Sequence, residues 1–321
     1  VKHRDGRPIV VTGAPRSGST FVGNVLASAP GVGYVHEPFN NEFGLVGVER
    51  NFPYVWAGAP HEATYRRLVD DLLAGKARFR TPPDYVPRPG LPARERLRDA
   101  VARPLVRSRA NFMYTRTKLD PRARRYLLKD PFACFSLEWL HRSVGTDAVV
   151  LLRHPAAYVD SMLRMGWAPS LDDLRGQPEL LARFPTIGEL VADRPGGPLT
   201  VVESHAVWWV AIYSVLLAFA DANPAMVVVR HEDLALEPVD RFAALFSQLD
   251  LELTDRVRRG IAERTGVERV VSGSEQRVHV LRRDSASAVR RWRERLDDVD
   301  VACIAAITGV TAAEHYPLAE W

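Results

Sequence analysis

Residues 8–40 read PIVVTGAPRSGSTFVGNVLASAPGVGYVHEPFN, and the order of residue types in them decides the architecture. Pro8 to Thr12 is a short, uncharged, β-branched run, which suits a strand buried on both faces of a parallel sheet. Gly13 and Gly18 bracket a loop, and Ser19 to Leu26 carries helical spacing. A helix N-terminus presents unpaired N–H groups and the positive end of a dipole, so an anion is stabilised there without any special side chain. Val32 to Val35 follows as a second strand and ends in the polar turn His36-Glu37-Pro38.

Gly13-x-x-x-x-Gly18-Ser19-Thr20 follows the phosphate-loop spacing GxxxxGK[ST] at every fixed position except one, where Ser19 stands in place of the lysine. A nucleoside triphosphatase uses that lysine to reach the β- and γ-phosphates. Here the nearest cation is Arg16, whose guanidinium can grip a phosphate or sulfate with two hydrogen bonds. A glycine-rich turn with no ligand would show the same glycines; the strand before it and the helix after it favour binding.

The chain has 321 residues, 46% of them hydrophobic, enough to bury a sizeable core. A single domain over 1–321 is expected, with insertions at about 41–125 and 166–200. The 43 Lys and Arg against 39 Asp and Glu leave a formal charge of +4. Both signs are interspersed and no long basic run occurs, which points to an anionic ligand and not to nucleic acid. Cys134 and Cys303 lie in apolar helical contexts and read as buried thiols, and neither has metal-ligand spacing, so no metal is expected. The N-terminal residues lack an apolar signal-peptide core and no window reaches ~18 consecutive apolar residues, so a cytoplasmic protein without a membrane span is the expectation. Oligomeric state is left open.

Residues 39–60 form a long aromatic loop with Phe39, Phe43, Phe52, Tyr54 and Trp56, either a wall of an acceptor pocket or a satellite hydrophobic cluster. A helix is predicted from His61 to Ala77, extended chain from Pro82 to Pro92, and an arginine-rich helix from Arg94 to Arg109 that is either a solvated face or an acceptor-facing surface. Alternation then resumes: strand Tyr126 to Lys129, helix Phe132 to Ser143, strand Ala148 to Leu152, helix Pro155 to Met165, core helix Val202 to Ala222, strand Ala225 to Arg230 and helix Val239 to Leu249. Gly166 to Pro198 reads as a lid or second wall. The whole is an α/β fold, a P-loop-like parallel β-sheet flanked by helices on both faces, with helical and loop insertions forming an acceptor pocket.

Strands of a parallel sheet end on one edge, so the loop Arg16-Ser17-Gly18-Ser19-Thr20, Lys129-Asp130 and Arg153-His154 can converge on one anion. Arg153 and Ser161, eight residues and about two turns apart, could hold a second phosphate.

These residues carry a resemblance. GAPRSGST (13–20) resembles the 5′-phosphosulfate loop of sulfotransferases that use 3′-phosphoadenosine-5′-phosphosulfate (PAPS) as donor cosubstrate, and VVLLRHPAAYVDSML (149–163) resembles their 3′-phosphate motif. LLKDPFA (127–133) is similar to a segment of tyrosylprotein sulfotransferases, and HEPF (36–39) to the Glu-Pro turn of Golgi carbohydrate sulfotransferases. VRHEDLALEP (229–238) resembles the family's R-Y-E-D-L turn with His231 for the tyrosine, and RRWRERL (290–296) its C-terminal R-W-R segment. Residues 41–125 and 166–225 carry no segment of recognisable resemblance to the family.

The resemblance implies that Arg16, Ser17, Gly18, Ser19 and Thr20 bind the 5′-phosphosulfate, and that Arg16 and Lys129 stabilise charge on the sulfuryl group and the departing phosphate. It implies that Arg153 and Ser161 hold the 3′-phosphate, and that Glu37 is the general base on the acceptor hydroxyl. His36 is the runner-up, since the cytosolic branch uses a histidine; were residues 34–37 all strand, only one of the two could face the sulfur. Arg16, where the cytosolic branch has lysine, makes the chain look like the Golgi and tyrosylprotein branch, which favours Glu37. Ser274 is carried over as a leaving-group serine although its spacing to Trp292 does not match, and Arg290 and Arg291 as cover for the 3′-phosphate or as a solvated helix start. The acceptor could be a sugar, a glycolipid, a secondary metabolite, a phenol or a peptide tyrosine, and the alanine- and arginine-rich composition fits a bacterial enzyme. A P-loop kinase or nucleotidase, needing a lysine at position 19 and Asp130 on Mg²⁺, and a non-catalytic nucleotide-binding domain are the alternatives.

Overall fold

The computed structural model describes residues 6–80, 108–167, 169–192, 197–265 and 289–321. Five strands form one parallel sheet: β1 (Ile9–Gly13), β2 (Val32–His36), β3 (Arg125–Lys129), β4 (Asp147–Leu152) and β5 (Val227–Arg230), in the spatial order β2-β3-β1-β4-β5. The apolar runs alternate sides with the two-residue period of a strand. Val10, Leu128, Val150 and Leu152 join one core, and Ile9, Val11, Leu127, Val149 and Leu151 join the other. The first core is covered by α2 (Pro155–Leu163) and α3 (Val201–Asp221); the second by α1 (Ser19–Leu26) and the helices Pro238–Gln248 and Asp255–Thr265.

This order locates the ligand. From β1 the chain runs to one side of the sheet, while from β4 it runs to the other, so the crevice above the β1/β4 pair is a topological switch point. Ligands of open parallel sheets sit at the carboxyl ends of the strands at such a point.

α3 is long and apolar enough to cross a membrane by length and composition, yet most of its side chains are buried within the protein. Thr200 caps it: its hydroxyl accepts from Glu203 N at 3.2 Å, while Thr200 N donates back to the Glu203 carboxylate at 2.7 Å.

Three stretches differ from expectation. After β3 the chain forms a 3₁₀ stretch Pro131–Ser136, one α-turn Leu137–Trp139 and a π-turn Leu140–Val144 in place of a continuous helix, with Gly145 at φ +80° closing it. Residues 166–198 contain three short helices, Asp172–Arg175, Pro178–Arg183 and Pro185–Val191. A further helix, Arg109–Leu119, is capped by Ser108, whose hydroxyl accepts from Asn111 N at 3.1 Å. Pro82 to Pro92, Arg94 to Arg107 and Ser274 lie outside the described residues.

Candidate active site

The loop after β1 needs its glycines. Gly13 has φ +148° and a Cβ there would lie 2.3 Å from the Leu151 carbonyl oxygen; Gly18, at φ +93°, caps α1, and its Cβ would lie 2.6 Å from His231 Nδ1. Between them Arg16 also takes a left-handed backbone, φ +69°. Ser19 and Thr20 open α1, so their N–H groups have no partner within the helix. Ser17 is fully buried beneath the loop and does not line the cleft, so its hydroxyl is not where an incoming anion would meet it. Tyr213 ties the loop to β4 from below: its hydroxyl accepts from Ala14 N at 3.3 Å and donates to Leu151 O at 2.9 Å.

Arg153 leaves β4 beside this loop. Its Nη1 donates to the Arg16 carbonyl and its own carbonyl accepts from Trp209 Nε1 at 2.8 Å. Burial lowers the Arg153 pKa, and its Nε is buried without a hydrogen-bond partner in the protein. Arg16 Nε donates to Ser161 Oγ at 3.4 Å, so Arg16, Arg153 and Ser161 meet, as their spacing suggested. The adjoining turn is locked from behind: Glu232 accepts from His154 N at 3.0 Å and from the Tyr316 hydroxyl at 2.8 Å. The His154 ring stacks on Trp292 with centroids 4.9 Å apart, and burial followed by the charges of Arg293, Arg230 and Arg153 lowers its pKa to about 3. From the same C-terminal segment Arg291 and Arg295 line the cleft, Arg295 pairing with Asp160 at 3.1 Å. Arg290 is exposed and does not line the cleft, as the solvated-helix reading of it would have it. The 3₁₀ turn Arg291–Glu294 carries Trp292 inward and leaves Arg291 and Arg293 exposed.

On the other side of β1, register places His36 opposite Lys129. β2 ends at His36; Glu37 adopts φ +45° and donates its N–H to Lys129 O at 2.8 Å. The alternation that would have put His36 and Glu37 on opposite faces therefore does not extend to Glu37, and His36 Nε2 lies 3.7 Å from Glu37 Oε1. Lys129, 2% exposed, pairs through Nζ with the Glu37 carboxylate. His36 also meets the Tyr34 hydroxyl through Nδ1 at 3.2 Å; burial, then the charges of Lys129 and Arg109, lowers its pKa to about 3. It is neutral at physiological pH and a poor proton acceptor.

Asp130 does not face the cleft. Its two oxygens accept from Phe39 N at 2.6 Å and Phe132 N at 2.9 Å, which clamps the Glu-Pro turn onto the end of β3. Burial, reinforced by the Glu37 charge, raises its pKa to about 8, against the opposing effect of those N–H groups and Lys129. A carboxyl whose folded pKa is raised stabilises the fold fully below its unfolded value and loses that contribution as pH climbs through the folded value. Stability is therefore expected to decline between about pH 4 and pH 8 on account of Asp130. Asp130→Asn should flatten that decline, read from denaturation midpoints at several pH values; an unchanged slope would assign it to other groups.

A cleft of about 1020 Å³ joins the two halves, from Thr20 and His231 at one end past Arg16, Arg153 and Lys129 to Phe52, Trp167 and Trp208 at the other. Phe52 lies in the aromatic loop that the sequence offers as an acceptor wall; Trp208, Asn40, Arg109 and Arg295 were not legible as further lining, because these side chains are brought together by contacts far apart along the chain.

Residues 8–184 match the model of the sulfotransferase family. No curated protein matches the chain. Among solved structures it is similar to the sulfotransferase domain from the curacin biosynthetic pathway (14% identity, 95% of this chain and 98% of that one, TM-score 0.43). It is similar also to sulfotransferase STF9 from Mycobacterium avium (14%, 96% and 76%, 0.45). Mouse sulfotransferase SULT7A1 complexed with PAP matches at 11% identity over 95% of this chain and 84% of that one, with a TM-score of 0.43.

Proposed function

This chain belongs to the sulfotransferase family, and from that premise we propose that it transfers a sulfuryl group from PAPS to an acceptor hydroxyl by in-line displacement. The observation that carries the reading is one sheet edge holding two units side by side: an anion cradle at the ends of β1 and β4, and the Lys129–Glu37 pair at the ends of β3 and β2. The residues fit a donor with two anionic ends. The first-turn N–H groups of α1, the Ser19 and Thr20 hydroxyls and Arg16 hold the 5′ end; Arg153 and Ser161, with Arg291 near the cleft, hold the 3′-phosphate.

Sulfuryl transfer, like phosphoryl transfer, asks chiefly for in-line placement and for neutralisation of spreading negative charge. Lys129 and Arg16 supply the charge. Glu37 takes the proton of the attacking hydroxyl, releasing Lys129 toward the sulfuryl oxygens as its own charge is neutralised. A Mg²⁺-dependent kinase fits less well: Ser19 stands where the lysine belongs, and Asp130 commits both oxygens to backbone N–H groups. A non-catalytic nucleotide-binding domain would have no use for the buried Lys129–Glu37 pair at this edge. Incubation with sulfur-labelled PAPS and a panel of hydroxyl acceptors should move label to acceptor; ATP turnover with Mg²⁺ and no label transfer would overturn the reading.

A further inference from the structure

We infer that the acceptor presents its hydroxyl on a flat apolar ring system and not on a free sugar, and that Phe52 selects it; this rests on the sulfuryl-transfer reading above. The wall in question stands next to the reacting groups, because Phe132 follows Lys129 by three residues and both line the cleft. Phe52 packs against Phe132 at 4.9 Å between centroids and 48°, and against Trp208 at 4.8 Å and 46°. Rings tilted in this way make a concave apolar corner that encloses a ring edge and face, where a pyranose would ask for one open platform and surrounding hydrogen-bond partners.

Several of the nearby polar atoms are already committed. Trp208 Nε1 donates to Ser170 O at 3.2 Å, so the indole offers carbon to the cleft. Asn40 Oδ1 accepts from Glu42 N at 2.8 Å and Phe43 N at 3.3 Å, and Asn40 Nδ2 reaches Glu37 at 3.5 Å. Asn51 Oδ1 accepts from Asn41 N at 3.1 Å. The Oδ1 atoms of Asn40 and Asn51, which could have read sugar hydroxyls, instead shape their own loop.

Phe52 is also held at a cost. It has φ +52°, a conformation that a bulky residue adopts only when its surroundings impose it, and such strain gathers at functional positions. The restraint comes from the 172–177 segment: Gln177 Nε2 donates to Phe52 O at 3.1 Å and its Oε1 accepts from Tyr54 N at 2.8 Å. Arg50 donates to Gly176 O at 2.7 Å and Asp173 O at 3.1 Å. The two insertions are thus stitched into a preformed wall with a strained aromatic at its centre.

The test compares 2-naphthol with methyl glucoside as acceptors for PAPS, alongside calorimetric titration of 3′-phosphoadenosine-5′-phosphate on the same preparations. Wild type should sulfate 2-naphthol with a kcat/KM at least about tenfold above that for the glucoside. Phe52→Ala should raise the KM for 2-naphthol about tenfold to a hundredfold, the loss expected for one buried aromatic contact, with kcat and bisphosphate affinity little changed. Phe52→Gly guards against misfolding, since glycine accepts the positive φ without strain; it should fold and show the same KM increase, and Phe52→Tyr should restore recognition. Bisphosphate binding together with preference for the glucoside, no transfer to 2-naphthol, or an unchanged KM in Phe52→Gly would overturn the inference and leave the sulfotransferase reading standing. Failure to bind the bisphosphate would remove both.

Discussion

Glu37→Gln is expected to lower kcat for sulfuryl transfer by about 10²–10⁴-fold, the usual contribution of a positioned general base, while leaving bisphosphate affinity nearly intact. The expectation follows from geometry first. Glu37 sits at the end of β2 in a left-handed turn, within a cleft that also holds Lys129, and Asn40 steadies its second oxygen at 3.5 Å. Its rival, His36, has a pKa of about 3 and so has little drive to take a proton; His36→Gln should leave kcat within about tenfold of wild type. If His36→Gln were the more damaging change, the base assignment would be reversed.

Lys129→Met is expected to cost about 10²–10³-fold in kcat, as removal of one preorganised charge-stabilising group does elsewhere. Lys129 is 2% exposed and its partner is Glu37, so each single variant strands the other charge. Breaking a buried pair in this way costs on the order of 3 kcal/mol of stability. The double variant Glu37→Gln with Lys129→Met should therefore be more stable than the sum of the single losses predicts, by denaturant titration, while remaining inactive. Additive stability losses would mean that the two groups are not coupled in solution.

How far the sequence disclosed this site depends on how local each signal is. The β-branched runs of β1 and β4, and the glycines of the first loop, encode strand and turn within a few residues of themselves, and Arg153 to Ser161 is a spacing from the end of β4 to the second turn of the helix that follows it. Sheet order then follows from the connections, so the meeting of Arg16, Arg153 and Ser161 could be anticipated. Glu37 was legible as a residue but its setting was not: the strand stops one residue earlier because the chain turns to a positive φ under the Asp130 clamp, which reaches across 91 positions to Phe39.

The C-terminal arginines show the same limit in another form. RRWRERL places four cations and one tryptophan in seven residues, and only the inward packing of Trp292 on His154 decides that Arg291 and Arg295 face the cleft while Arg290 does not. The aromatic loop was recognisable as more than a link, yet its partner, the 172–177 segment, joins it through Gln177 and Arg50, whose roles no local pattern announces.

The central claim is that the cradle at β1 and β4 is built for a nucleotide with phosphates at its 5′ and 3′ ends. Calorimetric titration of the wild-type chain with 3′-phosphoadenosine-5′-phosphate, ATP and AMP tests it most directly. The account predicts that the bisphosphate binds without Mg²⁺ and at least about a hundredfold more tightly than AMP, since only it engages Arg153 and Ser161, a difference of about 2.7 kcal/mol. Equal affinity for the bisphosphate and AMP, or tighter Mg²⁺-dependent binding of ATP, would contradict it.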